Sequence, residues 1–470
     1  MEEERGGGGG GTLSNVKRFL QHRQRGGQAK HVPADDILQS ASPENFRGEK
    51  QTQREESCLE DTSGDAPDTT TTPASVTITA TTTPTATTAT TPRESSNVGD
   101  GSMLRSRVEH VERLLTSEQV DLQQLRNVSW SGLAPRLRAA SWRLLLGYAP
   151  ASSSSLRRET LRRKRNEYRQ WVKTYYESLD DSDRTEDEVK TLRQITVDAP
   201  RTAPGVGFFH QDKVQESLIR VLYIRAIRYP ASGYVQGLND LVTPFLAVFI
   251  REACEASRAS EDAAAAAAAA AADGASGGGE DAAEKSGTGE EVDVGKCRAD
   301  LVLDAEADCF WCLGRLIDQI QDHYTFAQPG IQRSVFRVRE LVRRIDAPVA
   351  EHFEEQGVEF LQFTFRWINC LLVREVPFSL APRLWDTYIA EGADFADFLV
   401  YVCAAFLLTW STELIQLGLE DLVMRLQAPD TDDWGIEELE VVLSRAHIMR
   451  TMFRSASSHM RDLSLASPDS

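Results

Sequence analysis

"VQESLIRVLYIRAIRYP", residues 214–230, decides the fold class. Val214, Leu218, Val221 and Leu222 recur at three- and four-residue steps, which puts them on one stripe of an α-helix. Pro230 ends that helix, because its ring fixes φ and removes a backbone donor. The same spacing returns upstream at Leu137, Ala140, Leu144 and Leu145, and downstream at Leu361, Phe365, Ile368 and Leu372. Strand-like alternation is nearly absent between them. Residues 128–455 therefore read as one large all-α domain.

The flanks have a different character. The 470-residue chain carries a formal net charge of −19, unevenly placed. Residues 51–100 hold eight acids against two bases, and residues 251–300 hold twelve against five. The acidity belongs mainly to these windows, and it argues against general nucleic-acid binding. Residues 1–103 are rich in Gly, Thr, Pro and Ser and are expected to be disordered, since they cannot bury enough apolar surface to offset ordering entropy. The basic island "LSNVKRFLQHRQR", residues 13–25, reads as part of that disorder; a short amphipathic helix meeting a partner or an anionic membrane is the alternative. Residues 253–296, with ten consecutive alanines (263–272) and then an acidic glycine-rich run, read as a disordered surface insert. It divides the domain into an N-terminal lobe, about 128–252, and a C-terminal lobe, about 297–455, followed by a loose tail at 456–470.

Several chemistries are excluded by pattern. Seven scattered cysteines do not form a secreted disulfide framework. The N-terminus lacks a signal-peptide pattern, and no apolar run reaches the ~18–20 residues of a membrane span, so a reduced, cytosolic, soluble protein is expected. "GEEVDVGKC", residues 289–297, has one residue too many for a phosphate-binding loop and ends in Cys297 where a hydroxyl is needed. "CFWC", residues 309–312, lies within a helical pattern and lacks a second pair, so its cysteines read as core. The basic run at 156–171 reads as a solvated helix face, with an acidic partner or membrane surface as the lesser reading. The sequence shows no metal site, nucleotide loop or nucleophile triad with which to transform a small molecule alone.

Two polar stretches remain. In "ITVDAPRTAPG", residues 195–205, Pro200 and Pro204 bracket Arg201 and Thr202, so Arg201 is expected on a stiff loop. A guanidinium held this way suits a multi-oxygen anion such as phosphate. Asp198 either orients it or caps the loop; a surface Arg–Asp pair of small energetic consequence is the plainer alternative. In "SGYVQGLNDLVTPFLAVFI", residues 232–250, the apolar half reads as a core helix beginning near Asn239 or Asp240, both good caps. Gln236, a neutral amide with donors and an acceptor, could hold a water or serve that helix start.

These stretches match the IxxDxxRT and YxQG patterns of TBC domain Rab GTPase-activating proteins, which the chain resembles. "GLAPRLRAASWRLLLG" resembles that family's opening helix motif through Gly132, Arg138 and Trp142, and the likeness runs on through "FRWINCLLVREVP" and "RLWDTY". Within the family the chain is most similar to the TBC domain family member 22 branch, related to yeast Golgi Ypt/Rab GTPase-activating proteins, on strings such as "YTFAQPGIQ". The resemblance implies a two-lobed helical fold and a GTP-bound Rab-family small GTPase as partner. It makes Arg201 an arginine finger and Gln236 a glutamine finger that orients the attacking water. Asp198 and Thr202 would shape the arginine loop, Gly237 would allow close backbone approach, and Tyr234, Asn239 and Asp240 would fix the glutamine segment. The chain would be an activator and not itself a hydrolase, with no cofactor of its own: GTP and Mg²⁺ belong to the partner. A cytoplasmic place at Golgi or other endomembranes, with adaptors there, is also implied. The alternative is a TBC-fold scaffold without significant catalysis. Trp142, Trp367 and Trp385 are expected in the core, and Arg374, Glu375, Arg383 and Asp386 as buried ties between helices.

Overall fold

The computed structural model of the protein describes residues 97–180, 182–272 and 292–463. The basic island at 13–25, most of the low-complexity region, the middle of the insert and the last seven residues lie outside the described residues. Among the described residues every regular element is helical. In chain order the α-helices are α1 (Asn97–Thr116), α2 (Leu122–Trp130), α3 (Pro135–Leu145), α4 (Ser154–Trp171), α5 (Glu186–Asp198), α6 (Asp212–Arg228), α7 (Leu238–Ala272), α8 (Ala299–Ile317), α9 (Pro329–Ile345), α10 (Ala347–Gln356), α11 (Leu361–Asn369), α12 (Ala381–Glu391), α13 (Phe395–Leu407), α14 (Ser411–Leu414), α15 (Leu419–Gln427) and α16 (Ile436–Leu463).

The apolar stripe of the opening stretch does what its spacing requires: Val214, Leu218, Val221 and Leu222 are all buried, and α6 ends before Pro230. The long α7 packs along α8, and α13 packs along α16. Trp142 of α3, Phe245 of α7 and Trp385 of α12 meet edge to face, with Phe245 at 5.6 and 5.0 Å from the two indoles. Asp386 sits fully buried beside them. It accepts hydrogen bonds from Leu133 N–H (2.8 Å), Arg138 Nε (2.9 Å) and Trp142 Nε1 (2.8 Å), joining α12 to the start of the domain. Burial pushes its carboxyl above the usual range, although Arg138 and the N–H donors pull the other way. Glu375 and Arg383 are also buried ties, to Arg366 and to Glu440. Arg374 is not; it is half exposed.

Pro244 lies inside α7 without breaking it. The carbonyl of Asp240, which a residue-244 N–H would normally serve, instead accepts the Thr243 hydroxyl at 2.7 Å. The stretch Phe378–Leu414 is apolar and long enough by composition to cross a membrane, but it is divided among α12, α13, α14 and short turns, and its core-forming side chains are buried.

Four expectations change. The fold starts before residue 128: Val111, Val120 and Leu125, in and between α1 and α2, join the common core. The insert is narrower than 253–296. Helix α7 continues through the alanine run, because adding alanine to a helix already nucleated on the core costs little. At the far side, Val294 is buried and the Gln211 amide clamps that segment, donating to Val292 O and accepting from Val294 N, both at 2.8 Å. On α11 the buried apolar residues are Phe363, Trp367 and Ile368 while Leu361 is half exposed; the helix stops at Asn369 because Leu371 and Leu372 both take left-handed φ, 51° and 61°. The basic run of α4 is only partly solvated. Arg165 donates to buried Asp308 of α8 (2.9 and 2.6 Å), Arg169 pairs with Asp304, and the Lys164 ammonium sits 3.7 Å over the Trp311 ring.

Candidate functional site

Helix α5 delivers Arg201. It opens on a reciprocal capping box, Thr185 Oγ1 accepting from Glu188 N and Glu188 accepting from Thr185 N, with three acids in its first turn. Pro200 then tightens the chain into a single 3₁₀ turn, Ala199–Arg201. Thr202 closes the turn twice, by N–H to Ala199 O (3.1 Å) and by hydroxyl to Asp198 O (3.0 Å). Ala203 follows at φ +46°, a left-handed conformation that costs a non-glycine residue about 1–2 kcal/mol. Arg201 itself is exposed, and among the described residues its guanidinium has no hydrogen-bond or ion-pair partner.

Gln236 sits on the turn that leads into α7, likewise exposed and with its amide unpaired. Its backbone is held from below. The Asn369 amide donates to Gln236 O at 3.1 Å. Gly237 has φ +105°, and a Cβ there would collide with Asn369 Nδ2, so only glycine fits.

The two turns are joined by a buried polar network. The Tyr234 hydroxyl donates to Asp198 Oδ2 at 2.9 Å, where Gln194 also donates. Asn239 spans the gap: Nδ2 donates to Thr202 Oγ1 at 3.0 Å, and Oδ1 accepts from Gly237 N–H at 3.0 Å. Burial, with Asp198 beside it, pushes the Tyr234 phenol far above its usual value and keeps it a neutral donor. Asp240 is buried too; desolvation raises its carboxyl, Arg374 at 3.9 Å opposes this, and the Cys370 thiol donates to it at 3.5 Å.

Some of these roles differ from the sequence reading. Asp198 makes no hydrogen bond or ion pair with Arg201; its carboxylate serves Tyr234 and Gln194, while its carbonyl accepts the Thr202 hydroxyl that closes the arginine turn. Helix α7 begins at Leu238, so Asn239 lies inside the first turn and its side chain braces the loops instead of capping. Asn369 was not singled out from sequence, although it holds the Gln236 turn. Its position in "FRWINC" gives no local signal, because the contact crosses 133 residues and ends on a backbone carbonyl.

The chemistry of the arrangement is limited and clear. It offers an unpaired cation and an unpaired neutral amide, among the described residues, on two turns braced by one hydrogen-bond network. Among the described residues no group of His, Cys, Asp or Glu could hold a metal ion. Cys309 and Cys312 are buried free thiols in α8.

The Rab-GTPase-TBC domain family model matches residues 135–415, more than half of the chain, and the chain belongs to that family. It is 44% identical over 358 residues to TBC1 domain family member 22B of Homo sapiens, covering 76% of this chain and 64% of that protein. It is 39% identical over 366 residues to GTPase-activating protein gyp1 of Schizosaccharomyces pombe, covering 77% and 65%. The crystal structure of the Ypt/Rab-GAP domain of Gyp1p aligns at a TM-score of 0.64 and 38% identity, over 74% of this chain and 99% of that one. The chain thus spans just under two thirds of the length of these curated relatives.

Proposed function

We propose that the protein is a GTPase-activating protein for Rab-family small GTPases, which it meets in their GTP-bound state. Arg201 enters the partner's site and neutralises charge developing on the transferred phosphoryl group. Gln236 orients the attacking water, a task that needs a hydrogen-bonding amide and no proton transfer. The protein acts as an activator: GTP and Mg²⁺ come with the partner, and no cofactor of its own is needed. The observation that carries this reading is that Arg201 and Gln236 are both exposed and unpaired while Asp198, Thr202, Tyr234, Gly237 and Asn239 beneath them are locked together. The braced turns hold the two groups ready and lower the entropy lost on docking. The family relationship favours a cytoplasmic protein working at Golgi or other endomembranes, with adaptors there.

The test is GTP hydrolysis by a panel of purified Rabs with and without the full chain. At least one Rab is expected to accelerate by about 10³-fold or more, the usual reach of an arginine finger. Binding of GTP-loaded Rabs without acceleration would favour a scaffold over an activator.

A further inference from the structure

Phe326 is 94% exposed, more than any other large apolar side chain among the described residues. A single exposed apolar residue means little, because much of any protein surface is apolar. Phe326 differs in how it is held. It sits at the tip of the "YTFAQPGIQ" turn, and the next two residues, Ala327 and Gln328, both take left-handed φ, 60° and 48°. Side chains lock this unfavourable backbone: Gln328 is buried and donates through Nε2 to His323 O at 2.9 Å, and Gln332 donates to Ala327 O at 2.8 Å. Strain retained at a rigid, exposed tip points to a use for the tip.

The turn is also wired to the Gln236 segment. Two residues before the tip, the buried Tyr324 donates its hydroxyl to Asn369 O at 2.7 Å, and the Asn369 amide donates to Gln236 O at 3.1 Å. Phe326 Cα therefore lies within about 8 Å of a residue bonded to the same asparagine that holds Gln236. A second exposed aromatic, Phe336 (60% exposed), stands roughly 10 Å along α9 from Pro329. Beside the turn lies an open concavity of about 320 Å³ lined by Asp318, Gln319, Gln321, Asp322 and Thr325.

We infer that Phe326, seconded by Phe336, is an apolar anchor for the same GTPase that receives Gln236, an inference that rests on the proposed function. It fits a partner surface with an apolar patch bordered by hydrogen-bonding side chains, which Gln319, Gln321 and Thr325 of the concavity would meet, Asp318 and Asp322 being already paired with Arg315 and Arg333. An aromatic on a pre-ordered turn loses little conformational entropy when it is covered, which is the usual make-up of an interface hot spot. Its contribution is to affinity: it sets how long Gln236 and Arg201 stay in place, not what they do there.

The experiment compares the wild type with Phe326→Ala and Phe326→Asp. Binding is measured to each Rab of the panel loaded with a non-hydrolysable GTP analogue, and steady-state kinetics with any Rab that is accelerated. Thermal melts should be unchanged, since the ring touches almost nothing. Kd and KM are expected to rise about tenfold for Phe326→Ala and further for Phe326→Asp, with kcat within about twofold of wild type. Unchanged Kd overturns the inference, as does a fall in kcat at constant KM, which would make Phe326 a positioning residue for Gln236. A wild type that binds a Rab without accelerating it sinks the catalytic reading alone, because the Kd comparison still stands. Binding to no Rab sinks both.

Discussion

Asn239 shows how much of the site depends on one amide. It satisfies the buried Gly237 N–H and reaches Thr202, so it fastens the glutamine turn to the arginine turn. Asn239→Ala leaves that N–H unpaired in a dry interior, and the expected cost is about 1–3 kcal/mol in a denaturant melt. Rab-stimulating activity should fall with it, because both turns lose their common brace. Gly237→Ala should be worse for activity: it forces a side chain into the left-handed region and against Asn369. The stiff loop under Arg201 was legible from Pro200 and Pro204, and the pairing of Arg201 with Gln236 only through the family resemblance. Asn369 was not, since a long-range bond to a backbone carbonyl leaves no spacing to read, and neither was the bond from Tyr234 to Asp198, which joins side chains 36 residues apart.

Elements were legible where burial imposes a stripe, as in α6, and less so where a helix gains its stability from a neighbour. The alanine run lacks an apolar face, yet it continues α7 because the docked half has already borne the nucleation cost. Helix α4 looked like a solvated basic face because sequence cannot show that Asp308 lies across from it. Asp308 accepts from Arg143 (2.8 Å), Arg165 and the Tyr148 hydroxyl (2.7 Å). Burial alone would raise this carboxyl, but the two guanidinium groups overcome it and hold it below the usual range. Asp308→Ala should destabilise the fold by about 3–5 kcal/mol, measured by chemical denaturation, because it strands buried cations. The turn before α9 adds a pH dependence. Burial holds His323 down to about 4, against an ordinary value of 6.5. The unfolded chain binds this proton first, so stability should decline as pH falls from 6.5 toward 4 and then level off for this group. The total is on the order of 3 kcal/mol. A His323→Gln protein should show a shallower decline over that window.

On the scale of the whole molecule, the sequence placed the helical class and the family well and the edges poorly. Helices α1 and α2 add core upstream of residue 128, and the segment around Val294 returns to the fold before α8. Both edges are set by a few buried side chains inside polar surroundings, too few to raise a compositional signal. The consequence is a contrast between two changes. Replacing residues 273–291 with a Gly-Ser linker of equal length should leave melting temperature and activity as they were. Val294→Asp, a charge placed at a fully buried position, should lower the melting temperature clearly.

The central claim is that Arg201 and Gln236 are the chain's contribution to hydrolysis and carry no part of its fold. Single-turnover GTP hydrolysis by the most strongly accelerated Rab, driven in turn by the wild type, Arg201→Ala and Gln236→Ala, tests it directly. The account predicts that Arg201→Ala loses about 10³-fold or more of the acceleration and Gln236→Ala at least about tenfold, with melting temperatures unchanged. Acceleration by both variants equal to that of the wild type would contradict it.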